Sequence, residues 1–224
     1  MTRINMEIQR KIFTILGLPG SGKGTQAEFL SRKENLPIVG IGELIRKEIE
    51  SSNPKDPFVA EINKRYIEGT PQPDDIVFDL VKKELEKRET GIIFDNFPFS
   101  FEQANMLNNY AKEKKWREPL VIYLKIDPES SVNRIIHRKV CSICGKIYIE
   151  SETTMCESCG GALVSRADDK EEVVRKRIGQ YIPRIEEVTR LFKQAGRLII
   201  IDGEKSIQEV KEEIERSLLQ FSNN

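Results

Sequence analysis

Gly17–Thr25 reads GLPGSGKGT. It follows directly on the apolar run IFTILG (Ile12–Gly17) and leads straight into a helical pattern that opens at Lys23. A strand, a glycine-rich turn and a helix in this order form the context a phosphate-binding loop requires. The glycines Gly17, Gly20, Gly22 and Gly24 let the backbone curl with its N–H groups turned inward, an anion nest. The next helix adds the partial positive charge of its N-terminus, and Lys23 adds a point charge for outer phosphates. The usual pattern has Ser or Thr straight after the Lys; here Gly24 intervenes and Thr25 follows.

Outward from this loop, short apolar runs alternate with longer amphipathic stretches. IFTILG, PIVG (Pro37–Gly40), GIIFD (Gly91–Asp95), LVIYLKI (Leu120–Ile126) and RLIIID (Arg197–Asp202) read as strands. All but the second are nearly continuous apolar runs, the mark of a parallel sheet covered on both faces. Lys23–Lys33, Glu43–Glu50, Asp56–Glu68, Asp74–Arg88, Phe101–Lys115, Pro128–Lys139, Asp168–Gln194 and Ser206–Leu219 read as helices. The alternation implies right-handed βαβ units and a doubly wound α/β fold. Residues 1–10 read as a loose N-terminal extension. Residues 141–165 interrupt the pattern and read as a small insert projecting from the α/β body.

The chain has 224 residues, enough for one large domain with a small insert. Lys+Arg and Asp+Glu number 36 each, so the formal charge is zero. That balance speaks against a nucleic-acid or anionic-membrane binder, though not against a local basic pocket. The longest apolar runs are far short of a membrane span. The opening MTRINMEIQRK has no apolar h-region, so no secretory signal is read and the cytoplasm is the expected location. With no coiled-coil pattern evident, a monomer is the expected state.

Cys141-x2-Cys144 and Cys156-x2-Cys159 stand eleven residues apart, and Gly145 and Gly160 follow the second cysteine of each pair. Two such knuckles place four thiolates tetrahedrally around Zn²⁺ at about 2.3 Å. An iron–sulfur cluster or a redox pair is the other chemistry such a pattern serves. Four thiolates leave no open position, so the metal would be structural, stapling an insert too small to fold on its own core. The insert is net acidic, with Lys146 against Glu150, Glu152 and Glu157, which speaks against a nucleic-acid-binding ribbon. His137, the only histidine, reads as a helix surface residue rather than a ligand.

GLPGSGKGTQ (Gly17–Gln26) resembles the phosphate loop of adenylate kinases and related nucleoside monophosphate kinases, where the G-K-G-T form is typical. IGELIR (Ile41–Arg46), GIIFDNFP (Gly91–Pro98), RADDKEEVVRKR (Arg166–Arg177) and IDGEKSIQEV (Ile201–Val210) agree with the same family in order and spacing. The resemblance implies a five-stranded parallel core (11–40, 73–133, 167–220), a helical acceptor-binding region (41–72) and a mobile lid (134–166). It implies transfer of a γ-phosphoryl group from Mg²⁺-ATP to a nucleoside monophosphate, with small-molecule nucleotides as the partners.

Such a transfer needs alignment and charge neutralisation more than a base, and arginine suits it because guanidinium binds phosphate bidentately. By resemblance, Gly20, Ser21, Gly22, Lys23, Gly24 and Thr25 cradle the ATP phosphates. Arg138 binds the ATP side, and Arg134 faces the phosphates at the lid base. Arg166 and Arg177 span both substrates, Arg46 holds the acceptor phosphate, and Tyr148 and Lys205 lie near the ATP base and ribose. Asp95, at the carboxyl edge of the sheet, would order Mg²⁺ through water or cap a helix. Asp168 and Asp169 are expected to cap the next helix and pair with lid arginines. Thr70–Gln72 and Gln103 complete the acceptor site, with Gln103 reading the base.

The departures cluster there. Relatives carry Thr or Ser where this chain has Ile41, Gly where it has Asn96, and a phosphate-gripping Arg where it has Phe99. Losing such a charged partner costs about 1.5–3 kcal/mol if nothing replaces it. Three readings follow: an adenylate kinase with a compensated or weakened AMP site, a kinase for another monophosphate, or an ATP-binding scaffold.

Overall fold

The computed structural model describes residues 10–68, 70–149, 153–165 and 169–222. In chain order the elements are β1 (Lys11–Gly17), α1 (Lys23–Glu34), β2 (Ile38–Gly40), α2 (Ile41–Ser51), α3 (Pro57–Ile67), α4 (Asp74–Glu86), β3 (Gly91–Asp95) and α5 (Phe101–Glu113). There follow β4 (Leu120–Lys125), α6 (Pro128–Ile136), β5 (Arg138–Cys141), β6 (Ile147–Ile149), β7 (Leu163–Val164), α7 (Glu171–Gln194), β8 (Leu198–Asp202) and α8 (Ile207–Ser222).

Five strands form one parallel sheet in the order β2-β3-β1-β4-β8. The chain leaves β1 for one edge, returns beside it, and crosses to the other side. The carboxyl end of β1 is therefore a topological switch point, where ligands of open α/β sheets bind. The continuous apolar runs are explained by burial on both faces. Phe13 and Ile15 pack toward α1 and α8 with Leu30, Val210 and Ile214, while Ile12 and Leu16 face the opposite helices with Leu107 and Val188. Successive side chains of a strand point to opposite faces, so β1 needs apolar residues at nearly every position. Each such side chain, fully buried, contributes about 1.5–3 kcal/mol.

Local chemistry starts the helices. Asp127 accepts from Glu129 N at 2.8 Å with Pro128 in the first turn of α6, and Ser100 accepts from Gln103 N at 3.1 Å to open α5. In α7, Pro183 has no N–H to give the Gly179 carbonyl, so one rung of that helix is missing. Among the described residues no helix is long and apolar enough to cross a membrane.

The structure differs from the sequence expectation at the insert. The helix expected to reach Lys139 stops at Ile136, with His137 as its C-cap, and Arg138–Cys141 turns into a strand. That strand is the centre of a three-stranded antiparallel sheet, β6-β5-β7, with Cys141 at its end. Strands of two to four residues are too short for an alternation signal. The helix expected from Asp168 begins at Glu171; Asp168 lies outside the described residues, and Asp169 does not cap α7, because its carboxylate is taken by Arg138.

Gly91 opens β3 with φ +139°, and a Cβ there would stand 2.1 Å from the Lys11 carbonyl oxygen of the neighbouring strand. Both the left-handed backbone and the close approach demand glycine. Gly91→Ala is expected to cost at least ~2 kcal/mol, read as a lower midpoint in urea unfolding.

Candidate active site

The loop after β1 is curled as its glycines require. Gly20 and Gly22 have φ of +76° and +89°, and Ser21 N donates to Leu18 O at 3.1 Å. At Gly17 a Cβ would meet Ser21 Oγ at 2.4 Å and Leu124 O at 2.7 Å, so the turn closes only on glycine. α1 then starts at Lys23 with Gly22 as N-cap, no capping side chain and no acid in its first turn. Among the described residues its leading N–H groups therefore have no side-chain acceptor, the condition for anion binding at a helix N-terminus. Lys23 Nζ donates to the carbonyls of Gly17 and Leu18, both at 2.9 Å. Burial pushes its ammonium down to about 8, partly opposed by Asp95. Asp95, at the end of β3, is raised above the ordinary carboxylate range by burial, with Lys23 pulling the other way.

One cleft of about 690 Å³ opens beside this loop. That is the size of a ligand site. It gathers Lys23, Asp95, Arg138 and Arg177 with the expected acceptor residues Ile41, Arg46, Thr70, Gln72, Asn96, Phe99 and Gln103. Arg138 forks onto Asp169, with Nε at 2.9 Å and Nη2 at 2.6 Å. The two side chains are 11% and 3% exposed, so this is a buried pair whose carboxylate stands where an anionic ligand could compete. Arg46 donates to the Tyr66 hydroxyl at 3.3 Å.

Two acceptor-side departures, Asn96 and Phe99, and the retained Gln103 acquire physical settings. Asn96 has φ +62°, a left-handed conformation that suits glycine and tolerates asparagine. Gln103 accepts from Phe99 N at 2.8 Å and donates to Asp74 at 2.7 Å, so its amide is held in place by the loop it serves. The Phe99 ring packs edge-on against Tyr181, centroids 4.4 Å apart, with the Arg184 guanidinium 5.6 Å from its centroid.

Other expected residues lie outside the cleft. Arg134 brackets the phosphate loop, donating to Gly203 O at 2.9 Å and Gly20 O at 3.3 Å while pairing with Glu204 at 2.9 Å. Lys205 pairs with Glu213 at 2.7 Å. The Tyr148 hydroxyl donates to Cys156 Sγ at 3.3 Å and accepts from Glu157 N at 3.1 Å. Ser21, Gly22, Gly24 and Thr25 belong to the loop and the first turn of α1. Arg166 lies outside the described residues. Arg175 pairs with Glu129 and Glu171, away from the cleft. The sequence reading missed Gln180, Tyr181 and Arg184. They share a face of α7 with Arg177, and the spacing 177, 180, 181, 184 is the signal that could have found them.

The four cysteine sulfurs all lie within 4.8 Å of one another, with Cys141 to Cys159 at 3.4 Å and Cys144 to Cys156 at 3.6 Å. The N–H groups of Ile143 and Cys144 point at Cys141 Sγ, at 3.4 and 3.5 Å. Four sulfurs this close together fit one metal ion bound at about 2.3 Å per ligand.

The adenylate kinase family model matches residues 15–197. An adenylate kinase of Thermosipho africanus is 36% identical over 206 residues, covering 89% of this chain and 95% of that protein. One from Archaeoglobus fulgidus is 36% identical over 211 residues, 91% and 95% of the two chains. One from Pyrococcus horikoshii is 36% identical over 215 residues, 94% and 96%. The likeness runs from the curled loop through the cleft to α7, and with it the chain belongs to the adenylate kinase family.

Proposed function

We propose that this protein reversibly transfers the γ-phosphoryl group of Mg²⁺-ATP to AMP, giving two ADP. The observation that carries the reading is a single cleft in which the cations Lys23, Arg138 and Arg177 meet the acceptor wall of Arg46, Thr70 and Gln72. The loop Gly17–Thr25 and the open N-terminus of α1 hold the triphosphate. Lys23 turns from its own carbonyls to the outer phosphates. Arg138 exchanges Asp169 for phosphate oxygens, and Arg177, with Arg166, would span donor and acceptor. Asp95 would orient water on the substrate's Mg²⁺. The acceptor oxygen is already anionic, so these groups need only align the two substrates and neutralise the equatorial oxygens. The family relationship and the retained Gln103 favour AMP. Phe99 and Ile41 in the acceptor wall favour a second reading, a kinase for another nucleoside monophosphate.

The strands Arg138–Val164 fall within the proposed lid, 134–166, and Zn²⁺ is the ion that suits its four sulfurs. The metal would be bound by Cys141, Cys144, Cys156 and Cys159, and would supply cross-linking rather than chemistry. Arg134, Tyr148 and Lys205 would serve the ATP side, Tyr148 acting by backbone because its hydroxyl serves Cys156. The cytoplasm and a monomeric state complete the proposal.

Lys23→Ala is expected to lower kcat by roughly 10²–10³-fold or more with an unchanged circular dichroism spectrum. A panel of AMP, CMP, UMP, GMP and their deoxy forms with ATP is expected to show AMP fastest; a faster turnover of another monophosphate favours the second reading. Lys23 loses its proton near pH 8 in the free site and must regain it against a triphosphate. ATP affinity is therefore expected to fall as pH rises above about 8, approaching tenfold per unit, with proton uptake toward one per ATP in calorimetry across buffers. A strong chelator is expected to release one zinc per chain and lower Tm by at least ~4 °C, since each kcal/mol shifts a domain of this size by about 2–4 °C.

A further inference from the structure

We propose that Arg184 grips the phosphate of the acceptor nucleotide, with the Phe99 ring as its seat; this rests on the transfer reaction proposed above. Arg177, Gln180, Tyr181 and Arg184 line the cleft from one face of α7. Seven residues of helix advance about 10.5 Å, so Arg184 stands two turns beyond Arg177. Arg177 lies toward the end of α7 nearest Asp169 and Arg138; Arg184 lies beside Phe99, in the loop after β3 that Gln103 braces.

The partners of the arginines around the cleft separate their roles. Arg138 is held by Asp169 and Arg65 by Glu61 at 2.7 Å. Arg184 has no carboxylate partner among the described residues; its neighbour is an aromatic face. A half-buried guanidinium without an anion is costly in the empty protein, and an incoming phosphate removes that cost. Cation–π contact fixes the guanidinium plane while leaving its N–H fork for a bidentate ligand. Tyr181, edge-on to the same ring, keeps Phe99 from turning away. Phe99 thus does not merely lack the phosphate-gripping charge that the resemblance places at its position. It carries a second arginine's charge to the same wall from α7.

The test compares Arg184→Met and Arg184→Lys with the wild type, using the monophosphate that the wild type turns over fastest. Arg184→Met is expected to raise KM for that acceptor, and its Kd by calorimetry, by roughly 10–100-fold, with KM for ATP within twofold. Arg184→Lys is expected to recover part of that loss, because it restores charge without the fork. An acceptor KM within twofold of wild type in Arg184→Met, or an equal rise in the KM for ATP, overturns the proposal. If the wild type turns over no monophosphate, the underlying kinase reading falls and this assignment falls with it.

Discussion

A lysine ammonium folded back onto two carbonyls of its own loop, 2.9 Å from each, states the constraint under which the whole cleft is built. Several cations must share a partly desolvated space before any anion arrives. Each solution is local. Lys23 borrows backbone oxygen and shifts toward its neutral form. Arg138 takes the buried Asp169, and Arg184 leans on an aromatic ring. The parallel sheet exists to bring these groups together: its switch point sets the β1 loop, the end of β3 and the face of α7 around one volume.

The Arg138–Asp169 pair also ties together two parts of the chain that sequence leaves separate. Arg138 starts the first strand of the small sheet and Asp169 leads into α7. Their bidentate contact closes the base of the cysteine-bearing insert, at the start of the strand that ends in Cys141. The insert is thus held at its root by an ion pair, and at its tip by four sulfurs poised for a metal.

Much of the fold was legible because long buried strands and amphipathic helices have strong periods. All five core strands and all eight helices appear within a few residues of where the apolar patterning put them. The phosphate loop was legible for another reason: only glycine fits Gly17 and Gly20, so the chemistry is written in residue type. The cysteine cluster is likewise fixed by identity and spacing. The strand Arg138–Cys141 was not legible, because its stability comes from partners at Ile147–Ile149 and Leu163–Val164 rather than from its own pattern. Arg184 was missed for a related reason. A charged residue on a helix is ordinary until the ring beneath it is known, and Phe99 lies 85 positions away in sequence, a distance no local motif spans.

The carboxylate that occupies Arg138 has a consequence for what the protein ignores. Any visitor to that guanidinium must first outcompete a resident of the same charge type, already oriented and already dehydrated. A solitary oxyanion from the surrounding medium offers little more than Asp169 does. A polyanion engaging the curled loop at the same moment, as in the proposed reaction, would bring its further contacts in one arrival and so displace the incumbent where small ions fail. On that proposal, discrimination against abundant simple salts would be inherent in the resting arrangement.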